Sequence, residues 1–423
     1  MNSKQLVEAL NISSLWLSEF QIDELLQRQL SATGLLDHHS MIDVVSIGKA
    51  SRTMAKSVRS ILGPRIARQI VMSNYESDTT FNELEEQLVI GDHPVPGTKS
   101  LAAGAQLLKF LAGSTASDVT LFLISGGASS ICVLPEAPVT LDDLAEIWTA
   151  ALEAGIHITT LNQLRAATSA IAGGAVLRSV RTPKCQALIM VDNVMSGPRW
   201  VASGLTYAYQ PLRGEVVKLV ELINRSESVL EEKILEAFER RSLVMTQPVA
   251  TDVDNAVVAE PAMMLECARA RAQELGYRII DMGARIHGDV ADVVDEWNRT
   301  ISQELAHGGA ICVIGVGEVT VQVRGSGRGG RCQEFAWRMA SVLNDLDRPG
   351  VFVARASDGR DYLTGVAGAW VDQSTVNRAT PRGFDWTEIV TRNDSFRALD
   401  GLGQIIEGGP TGWNLCDLYV ALV

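Results

Sequence analysis

The sequence predicts an α/β protein of two α/β domains, the first built on a mostly parallel sheet. Three observations carry this. Short runs of Val, Ile and Leu alternate with segments of helical periodicity. Those runs, such as MIDVVSI, DVTLFLIS and CQALIMV, are apolar throughout, as strands covered on both faces are. Between about Glu215 and Ser242 the chain becomes charged and poor in strand signals, and a second alternating set begins near residue 249. A chain of 423 residues has room for two or three domains. The expected division is 1–240 and 249–423, with the charged segment as a solvated helical connector and a cleft between the domains.

The elements follow in order. After a helical start, a strand from Asp43 to Ile47 runs into Gly48-Lys49-Ala50 and the helix ASRTMAKSVRSIL. ARQIVMS reads as a strand and SLAAGAQLLKFLAG as a helix. GDHPVPGTKS between them is a loop, because two prolines and a glycine interrupt regular structure. DVTLFLIS ends in the small-residue run Ser125-Gly126-Gly127-Ala128-Ser129-Ser130. LDDLAEIWTAALEAG and LNQLRAATSAIAGGAVLRSV read as helices, and CQALIMVDNV as a strand ending near Asp192. Loops after parallel strands gather at one sheet edge, so Lys49, the Ser125–Ser130 run and the Asp192 loop should converge. In the second half NAVVAEPAMMLECARARAQELG and DVADVVDEWNRTISQELAHGG read as helices, and YRIIDMG, GAICVIGVG, EVTVQVRG, GVFVARASDGRD and CDLYVALV as strands.

Composition narrows the function. A net charge of −13 argues against nucleic acid or anionic membrane as the main partner. No apolar stretch is long enough to span a bilayer, and the start MNSKQLVEALN lacks the pattern of a signal peptide. Six scattered cysteines with no C-x-x-C suit reduced thiols, so a cytoplasmic soluble protein is expected.

Three strand-end turns carry chemistry. Arg324-Gly-Ser-Gly-Arg328-Gly-Gly-Arg331 concentrates positive charge, and Gly325-x-Gly327-x-x-Gly330 copies the dinucleotide fingerprint. The alternation of Val319, Val321 and Val323 suggests a half-exposed antiparallel strand instead of a buried parallel one, and the expected ribose-binding acid is missing. Guanidinium groups also bind phosphoryl oxygens, so phosphate handling and a plain basic turn both stay open. Lys49 at a helix start opposes the helix dipole, which an anion there would offset. Ser125, Gly126, Gly127 and Ser129 lie where backbone N–H groups can face a phosphate. Asp192 and Asp358, each after a strand, suit either Mg²⁺ or helix capping. His93 reads as a loop-packing residue.

Taken together, SIGKA, GDHPVPG, LISGGASS, LNQLRAATSAIAGG, VASGLT, EVTVQVRGSGRGGRCQE, ASDGRD, RNDSF and GGPTGWNLCDL resemble the glycerate 2-kinase family, built of DUF4147 and MOFRL domains. The resemblance runs from about Val44 to the C-terminus. It implies a Rossmann-like first domain, a MOFRL-type second one, and an ATP- and Mg²⁺-dependent kinase of a small hydroxy acid. It ties Lys49 and Arg331 to phosphoryl transfer. It makes Ser125, Gly126, Gly127, Ser129, Gly325, Gly327 and Gly330 nucleotide or phosphate contacts. Asn162, Arg165, Arg328 and Asn414 become substrate contacts, and Asp192 and Asp358 metal ligands. It leaves a homodimer open.

The chain departs from the family pattern. Ala166, Ala167, Ala172 and Ala175 stand where Lys, His, Lys and Arg are typical, and Gly365 replaces an acid. Met195, Cys332, Tyr362 and Trp413 are larger or less polar than usual. These changes lead to the expectation of a bigger or less anionic substrate, or weakened kinase activity. The alternatives are an NAD(P)H-dependent hydroxypyruvate reductase and a family member that binds a nucleotide or sugar acid without turnover.

Overall fold

The computed structural model describes residues 3–36, 39–74, 88–114, 116–153, 156, 158–193, 197–223, 228–246 and 252–423. Met195 and its neighbour Ser196 lie outside them. The chain forms two compact units. One is Ile22–Val191 with Met195–Ala259, and the other is Met1–Gln21 with Asp192–Val194 and Glu260–Val423.

The first unit holds a six-stranded sheet. Its strands are β1 (Ile42–Ile47), β2 (Ile66–Ser73), β3 (Leu88–Ile90), β4 (Val119–Ile124), β5 (Lys184–Met190) and β6 (Asp252–Ala259). The order is β3-β2-β1-β4-β5-β6 and every pairing is parallel. This is the doubly wound order of Rossmann sheets, with the topological switch point between β1 and β4. All six residues of β1 and of β4 are buried. Their continuous apolar runs thus mean what the sequence implied: helices cover both faces. One such helix, Thr98–Ala112, begins where the Asp92 carboxylate accepts from the Lys99 and Ser100 N–H groups.

Two expectations for this unit give way. NAVVA reads as the start of a helix in sequence, yet it completes β6. Pro261 at the first turn of the helix Pro261–Glu274 sets that helix's start, and Val257 and Val258 favour a strand before it. The first sheet therefore runs to residue 259 instead of stopping before 249. The charged connector is also not solvated. Helices Arg213–Ile223 and Ser228–Met245 bury Val216, Leu219, Val220, Ile234 and Phe238 against Ile147, Leu161 and Leu164.

The second unit holds a seven-stranded mixed sheet of β7 (Arg278–Asp281), β8 (Ile286–Asp289), β9 (Ile311–Thr320), β10 (Val351–Ala356), β11 (Val366–Asp372), β12 (Ile405–Glu407) and β13 (Asp417–Leu422). The order is β12-β11-β10-β13-β9-β7, with β8 also on β9. Pairings from β12 through β9 are antiparallel, while β7 and β8 run parallel to β9. The two strands read from GAICVIGVG and EVTVQVRG are one ten-residue strand, β9, which stops before Val321. Helices Val290–Leu305 and Arg331–Asn344 pack Trp297 and Phe335 onto Phe352 and Tyr419, with ring centroids 4.8–6.4 Å apart. The N-terminal residues belong here, not with 22–240. Arg271 Nε donates to Asn11 Oδ1 at 2.7 Å, Tyr277 donates to Glu8 at 2.6 Å, and Trp16 and Phe20 pack edge-on against Trp413.

If the Arg213–Met245 region is part of the core, Phe238→Ala should cost about 3–5 kcal/mol in urea unfolding. A solvated connector would give a change of less than about 0.5 kcal/mol.

Candidate active site

In the first unit the turns after β1 and β4 are latched together. Gly48 has φ +123°, and a Cβ on it would overlap the Ser125 hydroxyl and carbonyl. The Ala50 N–H donates to Ser125 Oγ at 3.0 Å, and the Lys49 N–H donates to the Gly126 carbonyl at 2.9 Å. Gly127, at φ +81°, opens the short turn Ala128–Ile131. A Cβ on Gly127 would sit 3.1 Å from Lys49 Cγ and 3.2 Å from the His93 ring. The expected meeting of Lys49 with the Ser125 run is therefore found at the switch point. His93 joins it, which its reading as a loop-packing residue had passed over.

A row of side chains leads away from this turn. Ser129 Oγ lies 2.8 Å from Ser203 Oγ, and Ser203 donates to Asn162 Oδ1 at 3.0 Å. Arg165 Nη1 donates to the same oxygen at 3.0 Å. Because Ser203 gives its proton to Asn162, Ser129 is the donor in the first link. Ser203 and Ala202 both have left-handed backbones, φ 52° and 54°, which non-glycine residues rarely adopt. Ser203 is thus a positioned residue that the sequence offered only as part of VASGLT. The Arg165 guanidinium lies 3.5 Å from the Trp148 ring centroid, and its Nη2 is buried without a hydrogen-bond partner. Burial pulls this guanidinium down to about 9, still protonated at neutral pH. Behind the row, Arg241 Nη2 donates to the carbonyls of Ala172, Gly173 and Tyr209, clamping the turn that carries Ser169–Gly174.

In the second unit the Gly-rich turn is closed on itself. The Arg324 and Gly325 N–H groups donate to Asn393 Oδ1, Gly327 N–H to the Arg392 carbonyl, and Arg328 N–H to Asp394 Oδ1. A Cβ on Gly325 or Gly327 would collide with Arg392. The cradle reading of Gly325 and Gly327 is corrected: both N–H groups are engaged, and both glycines allow close approach of the Arg392–Ser395 segment. Arg328 is exposed and its guanidinium lies 4.9 Å from the Phe396 ring centroid.

The start of the helix Arg331–Asn344 is also filled. Asp361 accepts from the Cys332 and Gln333 N–H groups at 3.1 and 2.9 Å, and from Gln333 Nε2 at 2.9 Å. Burial, then the nearby Asp417 carboxylate, push the Asp361 carboxyl up, while the Gln333 hydrogen bonds oppose them. Gly330 is the contact point, since a Cβ there would overlap Asp361. Arg331 donates from Nε to Asp417 at 2.5 Å and from Nη2 to Asp417 and Glu318 at 3.0 and 2.9 Å. Burial alone would lower its pKa, but the two carboxylates outweigh burial and raise it. Nη1 carries no hydrogen bond among the described residues, so the fork is held from one side.

The Gly409–Cys416 loop gathers the aspartates. Asn414 Nδ2 donates to Asp192 Oδ2 at 3.1 Å, and Cys416 Sγ to the Asp192 carbonyl at 2.8 Å. The Thr411 N–H reaches the Asp358 carbonyl at 3.4 Å, and Gly359 packs against Gly409. Among the described residues, no group of three or more His, Cys, Asp or Glu could hold a metal. Trp413 and Cys332 do not widen a pocket, as their size had suggested. Trp413 packs on Trp16 and Phe20, and Cys332 is a core residue. Tyr362 is 76 % exposed.

A family model described as Domain of unknown function (DUF4147) matches residues 7–239, and the MOFRL family model matches residues 311–417. D-glycerate 2-kinase of Thermotoga maritima is 29 % identical over 394 residues, covering 90 % of each chain. Glycerate 2-kinase of Pyrococcus horikoshii is also 29 % identical, over 90 % of this chain and 87 % of that one. A crystal structure of glycerate kinase from T. maritima matches with a TM-score of 0.83 at 25 % identity, over the full length of both chains.

Gly330→Ala should displace Asp361 and lower stability by about 1–3 kcal/mol in urea unfolding. Gly409→Ala, whose Cβ would meet nothing within 4 Å, should stay within about 0.5 kcal/mol. Equal effects would show that the Asp361 contact does not hold the helix start.

Proposed function

Since the chain belongs to the glycerate kinase family, a DUF4147 domain followed by a MOFRL domain, we propose that it transfers the γ-phosphoryl group of ATP to a hydroxyl of glycerate or a related hydroxy acid. The observation that carries this reading is the latched turn pair at the switch point, with Lys49 held at Gly127. Doubly wound sheets bind phosphorylated ligands at that place. A lysine there offsets phosphoryl charge, and catalysis of phosphoryl transfer consists mostly of positioning and charge stabilisation. Arg331 supplies the second cation. Asp417 and Glu318 fix its plane and leave Nη1 to meet a phosphoryl oxygen.

In the reaction the acceptor hydroxyl oxygen bonds to the γ-phosphorus, the bond to the ADP oxygen breaks, and the hydroxyl proton passes to a carboxylate. Asp192 and Asp358, both bordering the Gly409–Cys416 loop, are the carboxylates we assign to accept that proton or to bind magnesium. Two aspartates suit a Mg²⁺ ion that takes one or two protein carboxylates and completes its shell with phosphate oxygens. A magnesium ion held by these carboxylates would neutralise charge that develops on the transferred phosphoryl group. A cytoplasmic setting accords with six cysteines that are all free thiols. No described helix is long and apolar enough to cross a membrane.

The reductase alternative has less behind it. A dinucleotide-binding sheet of this order carries G-x-G-x-x-G after β1 and an acid at the end of β2. Here β1 is followed by Gly48-Lys49-Ala50-Ser51-Arg52-Thr53, and β2 ends in Ser73.

With ATP, Mg²⁺ and glycerate, ADP should be released in a coupled assay. Lys49→Met and Arg331→Lys should each lower kcat by about 10²–10³-fold, with thermal unfolding near that of the wild type. Absence of ADP release with glycerate and every related hydroxy acid tried would refute the kinase reading. NADH absorbance should stay constant when hydroxypyruvate is added.

A further inference from the structure

Beside the β4 turn, the first unit contains a largely apolar pocket. Its wall begins at Ile47, Ala128 and Ser129, next to the Lys49 turn, and extends to Leu144, Ile147, Trp148, Leu161 and Leu205. Most of the lining is apolar. The hydroxyl groups of the lining are each hydrogen-bonded. Ser129 and Ser203 are bonded to each other, and Ser203 also to Asn162. Thr168 Oγ1 donates to the Leu164 carbonyl, and Ser169 Oγ donates to the Leu134 carbonyl while accepting from the Ile171 and Ala172 N–H groups. Among the described lining residues, Arg165 Nη2 is the side-chain nitrogen buried without a hydrogen-bond partner.

A buried guanidinium with an unfilled donor is costly unless an anion meets it. A purine would need donors as well as acceptors along its edge, and the four hydroxyl hydrogens of this wall are already donated. An apolar body with one carboxylate matches both the wall and the guanidinium. Resting on the kinase reading above, we propose that the acceptor substrate is a 2-hydroxy acid bearing a bulky apolar substituent. Its carboxylate pairs with Arg165, its substituent lies among Ile147, Trp148 and Leu161, and its hydroxyl faces the Ser129–Gly127 end of the pocket. Glycerate, with no apolar group, leaves most of this wall uncovered.

The test uses the full chain and three probes: 3-phenyllactate, its amide, and glycerate, with adenosine as a competitor. Binding is read by calorimetry and turnover by ADP release. We expect 3-phenyllactate to bind about tenfold or more tighter than glycerate, and its amide to lose about tenfold or more. Arg165→Met should lose the preference for acid over amide, and Arg165→Lys should retain part of it, with circular dichroism confirming that both fold. Ile147→Trp, which fills the pocket, should lower the ratio of phenyllactate to glycerate affinity. Glycerate turnover without binding or turnover of 3-phenyllactate would overturn the inference and leave the kinase reading intact. Arg165-dependent binding of 3-phenyllactate without ADP release from any acid would support the pocket and overturn the kinase reading. Adenosine displacing 3-phenyllactate, or Arg165→Met binding acid and amide as wild type does, would also overturn the inference.

Discussion

The approach of Gly48 to Ser125 is the constraint on which the candidate site rests. β1 and β4 are neighbours in the sheet, and the chain leaves both at the same edge. A side chain on Gly48 would occupy the space of the Ser125 hydroxyl and carbonyl, and its φ of +123° suits only glycine. With no Cβ there, the two turns exchange hydrogen bonds and Lys49 is delivered to Gly127 and His93. The row from Ser129 to Arg165 starts from the same turn. Both Lys49 and the apolar pocket therefore inherit their positions from one backbone contact.

The second unit places its chemistry differently. There the cation is fixed by carboxylates. Arg331 sits at the head of a helix whose N–H groups belong to Asp361, and Asp417 at the start of β13 holds its fork. A half-buried arginine held by two acids is a rigid cation with its charge largely balanced. An additional phosphoryl group would meet a directed Nη1, not a broad positive field.

The fold was legible wherever burial leaves a mark on residue type. Continuous apolar runs revealed the parallel strands β1, β2, β4 and β5, because both faces of those strands are covered. β6 was lost because NAVVA adjoins a strongly helical segment and its strand character is short. The packing of Arg213–Met245 was hidden because its charged residues dominate the composition, while Val216, Ile234 and Phe238 form only a narrow buried stripe. The strands β3, β8, β11 and β12 were not anticipated: they are short or contain glycine. In the site, the strand-end turns with Lys49 and Ser125 could be read from order and glycine content. Ser203 and His93 could not, since only the fold brings residues this far apart in sequence to the same turn.

By itself the sequence determined the class of the protein: alternating buried strands and helices, glycines at strand ends, and motif blocks in an order that marks the glycerate kinase family. Those are properties of residue type and local spacing. Only the tertiary structure decided what each polar group faces. The Gly325–Gly327 turn looked like a phosphate cradle until Asn393, Asp394 and Asp361 proved to hold the N–H groups at the turn and at the head of the following helix. Trp413 and Cys332 looked like pocket residues until packing placed one on Trp16 and the other in the core. Arg165 looked like one substrate contact among several until its neighbours' hydroxyls were found engaged and its own Nη2 was not. A hydrogen bond is a relation between two groups, and partners distant along the chain are specified only once the chain has folded.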